Sequence, residues 1–293
     1  MEFRKITGRV GLAVVLMLAA AGALAAPGSK REVLGKAESS LLVKGEIHIE
    51  TDGSVSAVVL DRKRRLDPGI ARFVHETASK WTFEPVQENG KPVSVRSPMA
   101  VNLVATVSQA GSVDIRVGGV NFSGPADDSD ESIRRLRTAV PTYPPRAVAM
   151  GAEGIVYLLV QVSPDGKVTD VVAEQVNLTV VASSQQMQRM RELLTIASIS
   201  AARRWTFLPP TSGPEADAPF WTVRVPAQFI LNLQNDPERA GRWETYIPGP
   251  RQRAPWLVDQ DAPGFSPDAL SDGGLYMVGA DKKAPKLLTP LGG

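Results

Sequence analysis

The segment WTFLP at Trp205–Pro209 repeats an earlier segment, WTFEP at Trp81–Pro85. An Asp-Gly pair precedes each copy, Asp52-Gly53 in the first case and Asp165-Gly166 in the second. Because these landmarks recur in the same order along the chain, the sequence predicts one structural unit that occurs twice. The motif residues that we expect to be structural are Trp81, Phe83, Pro85, Trp205, Phe207 and Pro209.

The residues around the motif predict two strands, a helix and a third strand in each unit. Ile47 and Ile49 alternate with polar residues, which is typical of a strand with one buried face. The Asp-Gly pair then supplies a turn, because glycine accepts the positive φ that a tight hairpin requires. Apolar residues at spacings of three and four predict helices that end at Trp81 and at Trp205. We therefore expect an α+β fold with two repeated strand-strand-helix-strand modules, each a small antiparallel sheet with a helix on one face.

Four local signals add detail to this plan. Asp67-Pro68 is typical of a helix start, with an acceptor side chain before a proline in the first turn. Ser183 and Gln186 fit a capping box. The strand at 156–162 is apolar on both faces, which predicts a central position in its sheet. The stretch 113–122 predicts an additional strand or hairpin in the first unit.

The chain divides into five predicted segments. A leader (1–25) is followed by the first module (41–123), an acidic linker (124–140), the second module (141–233) and a tail (234–293). The last 59 residues contain 8 Pro and 8 Gly and show no sustained periodicity. This composition predicts an irregular C-terminal tail that is disordered or lies on the surface.

The leader has the composition of a secretory signal. Three basic residues precede an apolar run that ends in Ala23-Leu24-Ala25. We therefore expect a Sec-type signal peptide that is cleaved between Ala25 and Ala26. The apolar run is about 17 residues long, which is the lower limit for a membrane-spanning helix. An uncleaved inner-membrane anchor that faces the periplasm is the alternative.

The charge balance and the lack of cysteine exclude several classes of protein. Beyond residue 25 the chain carries 30 basic and 30 acidic side chains, which predicts no basic surface for nucleic acid. The sequence contains no cysteine, so disulfides, thiol nucleophiles and cysteine-built zinc sites are excluded.

The sequence contains little that could support catalysis. It has two histidines, His48 and His75, and we expect both on the surface. The common motifs for nucleophilic, metal-dependent and phosphate-binding sites are missing. We therefore predict that the protein is not an enzyme and has no catalytic residue, metal site or cofactor.

Two features could bind a partner. The last strand of a three-stranded sheet has an open edge, whose backbone N–H and C=O groups can accept an extended peptide. The alternative is that the tail or the other module covers this edge. The basic loop Arg62–Arg65 could contact anionic phospholipid or peptidoglycan, and the alternative is a solvated loop.

The second module resembles the C-terminal domain of TonB-type energy transducers. The similarity begins at an opening motif, PTYPP, of which Pro141, Tyr143 and Pro144 are the key residues. It continues through the Asp-Gly hairpin and the helix to the last strand and covers residues 141–233. The first unit (41–105) resembles the same family as a degenerate copy that lacks the Tyr-Pro opening.

The resemblance implies a non-enzymatic periplasmic protein that is associated with TonB-dependent transport. In this family, the last strand of the domain pairs with the TonB box, a short peptide of outer-membrane receptors. The expected partner is therefore an outer-membrane TonB-dependent receptor or another envelope protein. The corresponding partner-binding edge strand consists of Thr222, Val223, Arg224, Val225, Pro226, Ala227, Gln228 and Phe229.

Two departures from the family pattern keep other functions open. The leader contains no histidine to engage an inner-membrane motor, and 20 residues separate Ala25 from Glu46. A stretch of this length reaches at most about 70 Å. The alternatives are a membrane-anchored energy transducer with an uncleaved leader and a periplasmic scaffold that binds no peptide. A homodimer and a contact with peptidoglycan also stay open.

Overall fold

The computed structural model describes residues 28–61, 66–88, 90–107, 113–126, 129–231, 241–257, 261–279 and 284–291. The leader, the cleavage site between Ala25 and Ala26, and the basic loop Arg62–Arg65 lie outside these ranges, so our expectations for them stay predictions. Among the helices in the described ranges, none combines the length and the apolar character needed to cross a bilayer.

Thirteen strands and four α-helices are found in the described residues. The strands are β1 (Glu38–Ile49), β2 (Val55–Leu60), β3 (Gln87–Glu88), β4 (Lys91–Pro92), β5 (Val95–Val107), β6 (Val113–Asn121), β7 (Arg134–Arg137), β8 (Gly154–Val162), β9 (Val168–Leu178), β10 (Thr206–Leu208), β11 (Trp221–Phe229), β12 (Trp243–Tyr246) and β13 (Tyr276–Val278). The helices are α1 (Lys30–Leu34), α2 (Pro68–Ala78), α3 (Pro145–Ala149) and α4 (Ser184–Ala202), and a 3₁₀ turn covers Pro267–Ala269.

The first sheet has five strands, in the order β12-β1-β5-β6 with β2 also paired to β1. Strand β5 pairs with one edge of β1, while β12 and β2 share the other edge. Helix α2 buries Ile70, Val74 and Ala78 in the core of this sheet. Strand β6 is the additional strand that the sequence predicts over 113–122.

The second sheet has four strands, in the order β13-β11-β8-β9. The predicted central position of β8 is confirmed, because it lies between β11 and β9 and is buried on both faces. Helix α4 packs over one face. On the other face, Ile155 and Tyr157 pack against Phe265, Leu270 and Tyr276 of the tail. All ladders between the named strands are antiparallel, so the architecture is α+β, as predicted.

Both predicted helix starts are confirmed. Before α2, Asp67 Oδ1 accepts hydrogen bonds from the N–H groups of Gly69 and Ile70, at 2.8 and 3.2 Å. Before α4, the N–H of Ser183 donates to Gln186 Oε1 at 3.2 Å, and the N–H of Gln186 donates to Ser183 Oγ at 3.4 Å. These caps depend on neighbouring residues, which explains why local sequence predicted them.

The predicted linker 124–140 contains a strand that the sequence analysis missed. Strand β7 lies within it and pairs with β10. Ile133, immediately before β7, is fully buried in the core of the second sheet. The four residues of β7 are three arginines and one leucine, so they carry no alternation that could reveal a strand.

The described parts of 234–293 are ordered, so of the two expectations for the tail, disorder does not describe them. Strand β12 pairs with β1 of the first sheet, and β13 pairs with β11 of the second. Short groups of apolar residues, among them Tyr246, Leu270 and Leu287, are buried. A tail anchored at separate points has no periodicity, so its composition resembles that of a disordered segment.

Candidate functional site

The predicted partner-binding strand is β11, and it has a neighbour on each side. Strand β8 pairs with it along its whole length, from Trp221 to Phe229. On its outer edge, Thr222, Val223 and Arg224 pair with Val278, Met277 and Tyr276 of β13. The edge that the sequence predicts to be open is therefore partly closed by the protein's own tail.

The side chains of β11 offer little surface to a partner. All of its residues are buried except Gln228, which is half-buried. Pro226 lacks a backbone N–H and lies beyond the ladder with β13. A partner at this edge would therefore be bound mainly through the backbone, as in strand addition.

The Arg224 side chain belongs to a buried ion-pair network. Its Nε and Nη2 donate to the two carboxylate oxygens of Glu174 on β9, at 2.7 and 3.1 Å. Its Nη2 also lies 2.6 Å from Asp261 Oδ1. The Arg224 guanidinium is therefore paired within the chain, and a partner at this edge would meet Arg224 through its backbone.

The same network attaches the tail to the second sheet. Arg251 donates to Glu174 and to Asp261 Oδ2, so two arginines face two carboxylates. Burial lowers the pKa of Arg251, but the two carboxylates more than offset this and leave its pKa raised. The ring centroid of Phe265 lies 4.4 Å from the Arg224 guanidinium carbon. Arg251, Asp261 and Phe265 are thus held on the sheet face by paired charges and an aromatic contact.

The opening motif lies beside the end of β11. The Tyr143 ring meets the Phe229 ring edge-on, with 5.2 Å between centroids, and its O–H donates to the carbonyl of Ala152. Burial raises the pKa of Tyr143 to about 12, so the phenol stays protonated at neutral pH. Pro144 immediately precedes α3, and Pro141 is half-buried. This arrangement favours a packing role for the motif.

The Asp-Gly turn and the Trp-Thr-Phe motif contact each other in both units. The N–H of Phe83 donates to the carbonyl of Gly53 at 2.9 Å, and the N–H of Phe207 donates to that of Gly166 at 2.8 Å. A methyl group added to either glycine would lie about 2 Å from the phenylalanine carbonyl oxygen. The two sequence landmarks therefore form one tertiary contact that requires glycine.

The aromatic residues of the motif face the two cores. Trp81 and Phe83 both meet Phe122 edge-on. Trp205 packs against Phe207, and its Nε1–H donates to the carbonyl of Ala139 at 2.8 Å. The rings are buried, which favours core packing over ligand stacking. Pro85 is exposed and Pro209 is half-buried at the end of the motif.

A second buried polar cluster was missed by the sequence analysis. Asp268 of the tail accepts hydrogen bonds from Tyr157 O–H on β8 and Asn177 Nδ2 on β9, at 2.9 and 2.7 Å. Its other oxygen lies 3.1 Å from the Tyr246 hydroxyl on β12. Burial and the neighbouring carboxylates raise the pKa of Tyr246. No periodic signal in the sequence marks Asp268 as buried, because its partners lie on distant strands.

A large cavity lies near β11, and the described residues contain no cluster suited to a metal. The cavity has a volume of about 650 Å³, and its walls include Val120 of the first unit, Phe220, Phe265 and Met277. Within the described ranges, no three His, Cys, Asp or Glu side chains converge on a position that could hold a metal ion. The candidate site therefore consists of strand edges and packed side chains.

Comparison with known proteins assigns the second unit. Residues 139–231 match the family described as Gram-negative bacterial TonB protein C-terminal. The chain is also similar to "Protein TonB" from two strains of Xanthomonas campestris pv. campestris, with 37% identity over 92 residues. The matched segment is 31% of this chain and 35% of the length of each relative. No solved structure gives a significant match. Residues 139–231 are therefore a domain of the TonB C-terminal family.

Proposed function

We propose that this chain is a non-enzymatic TonB-like protein of the periplasm that takes part in TonB-dependent transport. Its second unit would bind an extended peptide of an outer-membrane TonB-dependent receptor, or of another envelope protein, along the outer edge of β11. The family match and the relatives named TonB support this assignment.

The observation that carries the proposal is the pairing of β11 with β13. An antiparallel strand already lies along Thr222–Arg224, so the backbone geometry of this edge suits strand addition. The rest of the expected receptor-pairing segment, from Val225 to Phe229, extends past the end of this short ladder. A longer peptide could therefore form more backbone hydrogen bonds than β13 does, and it would replace β13 on the edge.

The free energy needed to displace β13 from β11 lowers the apparent affinity for a peptide. Tyr276 is buried against Ile155 and Tyr157, and Leu275 is buried in the core of the second sheet. A peptide gains access only when these residues leave their positions, so the apparent Kd is the intrinsic Kd divided by the fraction of open protein. The tail would thereby limit binding to peptides that pair strongly.

We further propose that the two units are copies of one module and that strand addition is confined to the second. The orders β2-β1-β5-β6 and β9-β8-β11-β13 correspond strand by strand, and the same bond joins the Asp-Gly turn to the motif phenylalanine. In the first unit, β6 pairs with β5 from Ala100 to Val107. The outer edge of β5, which corresponds to the outer edge of β11, is thus covered over a longer stretch than β13 covers on β11.

The scaffold alternative is favoured by the same tail contacts. If β13 never leaves, the chain would join two closed modules and bind no peptide at this edge. A membrane-anchored transducer, a homodimer and a contact with peptidoglycan are further alternatives, and the first of these requires an uncleaved leader.

Weakening β13 is expected to tighten peptide binding at β11. Successive N–H groups of a strand point to opposite sides. Of the two proline variants Met277→Pro and Val278→Pro, one therefore removes a hydrogen-bond donor to β11. The other removes an N–H that points away from β11 and is the matched control. One backbone hydrogen bond contributes about 1 kcal/mol, so the affinity for a synthetic TonB-box peptide should rise roughly fivefold in one variant. Fluorescence anisotropy with the full-length chain measures this, and NMR shifts of the Thr222–Phe229 amides locate the peptide.

The possible binding results distinguish the peptide-binding function from the scaffold function. Equal affinities in the wild type and both variants would mean that the peptide binds without displacing β13. The scaffold function would be supported if none of the three proteins binds the peptide. Gln228→Pro, checked for folding by its thermal melt, should weaken binding if β11 is the contact strand.

A further inference from the structure

Strand β7 of the second unit has an open edge. Its inner edge pairs with β10, where Arg134 lies opposite Leu208 and Arg137 lies opposite Thr206. Within the described ranges, no backbone hydrogen bond joins the outer edge of residues 134–137 to another segment. We name this outer edge the arginine edge. Its backbone N–H and C=O groups can pair with an added strand.

Two arginines of the arginine edge lie on the outer face of the small sheet that β7 and β10 form. Thr206 and Leu208 are two residues apart and therefore share a face, while Phe207 between them is buried in the core. Residues directly opposite each other in antiparallel strands point to the same side. Arg134 and Arg137 thus face away from the core.

Three further basic residues lie close to these arginines. Lys167 pairs with Thr206 on the side opposite to Arg137. Neighbouring strands are about 4.8 Å apart, so the backbones of Lys167 and Arg137 are separated by about 10 Å. Arg203 and Arg204 directly follow α4 and come shortly before Thr206 in the chain. The basic side chains therefore gather at one corner of the second unit.

Acidic side chains compensate this basic patch only in part. The patch consists of Arg134, Arg135, Arg137, Lys167, Arg203 and Arg204. Arg134 lies 3.3 Å from the carboxylate of Asp130. Lys167 lies 2.7 Å from the carboxylate of Asp165. In the described part of the chain, the other four basic side chains contact no carboxylate, so the patch carries an excess of positive charge.

The uncompensated arginines have hydrogen-bond donors to spare. Arg135 donates to a backbone carbonyl at 2.8 Å, and Arg204 donates to a serine hydroxyl at 3.2 Å. Arg137 and Arg203 are exposed and have no polar partner among the described residues. Because a guanidinium has five N–H donors, a carboxylate ligand can bind here without breaking an existing ion pair. Beyond residue 25 the chain has as many acidic as basic side chains, so the excess is local to this surface.

We propose that the arginine edge binds an acidic extended peptide by strand addition. The peptide backbone would pair with β7, and its carboxylates would pair with Arg137 and the neighbouring arginines. Arginine suits this task, because its planar guanidinium donates two parallel N–H groups to one carboxylate. Leu136, which is 63% exposed, offers an apolar contact for a side chain of the peptide. The site is separate from the outer edge of β11 and does not depend on the peptide binding proposed there.

An acidic peptide is the occupant that the open edge and its charge select together. A row of backbone donors and acceptors is directional, so an extended chain satisfies it and a lipid headgroup does not. Basic residues on a strand edge can also serve only to prevent pairing between copies of a protein. Acidic side chains turn this repulsion into attraction, whereas a basic strand would increase it.

Fluorescence anisotropy with the full-length chain tests the proposal. The probe is a fluorescein-labelled peptide of about eight residues in which glutamate alternates with threonine, because alternate positions place the carboxylates on one face. Its control has glutamine in place of every glutamate. We expect the glutamate peptide to bind at least about tenfold more tightly at low salt, and this preference to fall as salt screens the charges. Shifts of the amide NMR signals of residues 134–137 locate the peptide.

The matched substitutions are Arg137→Gln and Arg189→Gln, which each remove one exposed positive charge. Arg189 forms a surface pair with Glu192 and precedes Arg203 by roughly four helical turns, or about 20 Å. We expect Arg137→Gln to weaken binding of the glutamate peptide about fivefold and Arg189→Gln to leave it unchanged. A folded Gln228→Pro variant should also leave it unchanged, because β11 is not the contact strand for this peptide.

Several results would overturn the proposal. If the two peptides bind equally, or if neither binds, the arginines serve only to prevent pairing at this edge. Equal effects of Arg137→Gln and Arg189→Gln would mean that the general charge of the protein attracts the peptide. Amide shifts confined to Thr222–Phe229 would place the peptide on β11. Binding to phosphatidylglycerol vesicles without binding of the glutamate peptide would assign the patch to a membrane surface.

Discussion

Replacing Glu174 with glutamine is expected to lower the free energy of unfolding by about 3–5 kcal/mol, because it leaves two arginines facing one carboxylate in a buried site. The Glu174 side chain is 3% exposed and accepts hydrogen bonds from both Arg224 and Arg251. The remaining carboxylate, Asp261, is partly exposed and cannot compensate both guanidinium groups. Urea denaturation followed by circular dichroism measures the change.

Glu192→Gln is the matched control for charge removal. Glu192 pairs with Arg189 at 3.1 Å on the surface of α4, and both side chains are about half exposed. Exposed pairs of this kind contribute about 1 kcal/mol or less, so this variant should be close to the wild type in stability. Equal effects of the two substitutions would contradict a structural role for the buried network. The Glu174 variant should also lose hydrogen-exchange protection in β13, because the network attaches the tail to the sheet.

Replacing Gly166 with alanine is expected to lower the free energy of unfolding by about 2–5 kcal/mol, the sum of left-handed backbone strain and a steric clash. Gly166 has a φ of +76°, and an added Cβ would lie 2.1 Å from the carbonyl oxygen of Phe207. Gly53→Ala should act in the same way in the first unit, where the distance to the Phe83 oxygen is 2.0 Å. Chemical denaturation of the full-length variants measures both effects.

The variant Gly151→Ala distinguishes the backbone strain from the steric clash. Gly151 also has a positive φ, of +64°, but its Cβ would meet no atom within 4 Å. We expect this variant to lose only the conformational part, about 1–2 kcal/mol. If Gly166→Ala lowers the free energy of unfolding no more than Gly151→Ala does, the contact between turn and motif does not explain why glycine and phenylalanine recur together.

Local sequence patterns correctly predicted the parts of the fold whose contacts lie close together in the chain. The start of α2 at Asp67-Pro68 and the capping box at Ser183 and Gln186 are examples. The apolar character of β8 on both faces correctly predicted its central place. The family resemblance of the second module is confirmed by the match over residues 139–231. These features share a cause, because periodicity and capping act over a few residues.

The sequence by itself thus determined the α+β class, the two sets of recurring landmarks and the family of the second unit. Only the tertiary structure decided that Arg224 is buried in an ion-pair network, that β13 covers Thr222–Arg224, and that residues 284–291 lie on the first unit. These contacts join residues about 50 to 200 positions apart. They depend on chain closure and on complementary surfaces, which leave no periodic signal in the segments that form them.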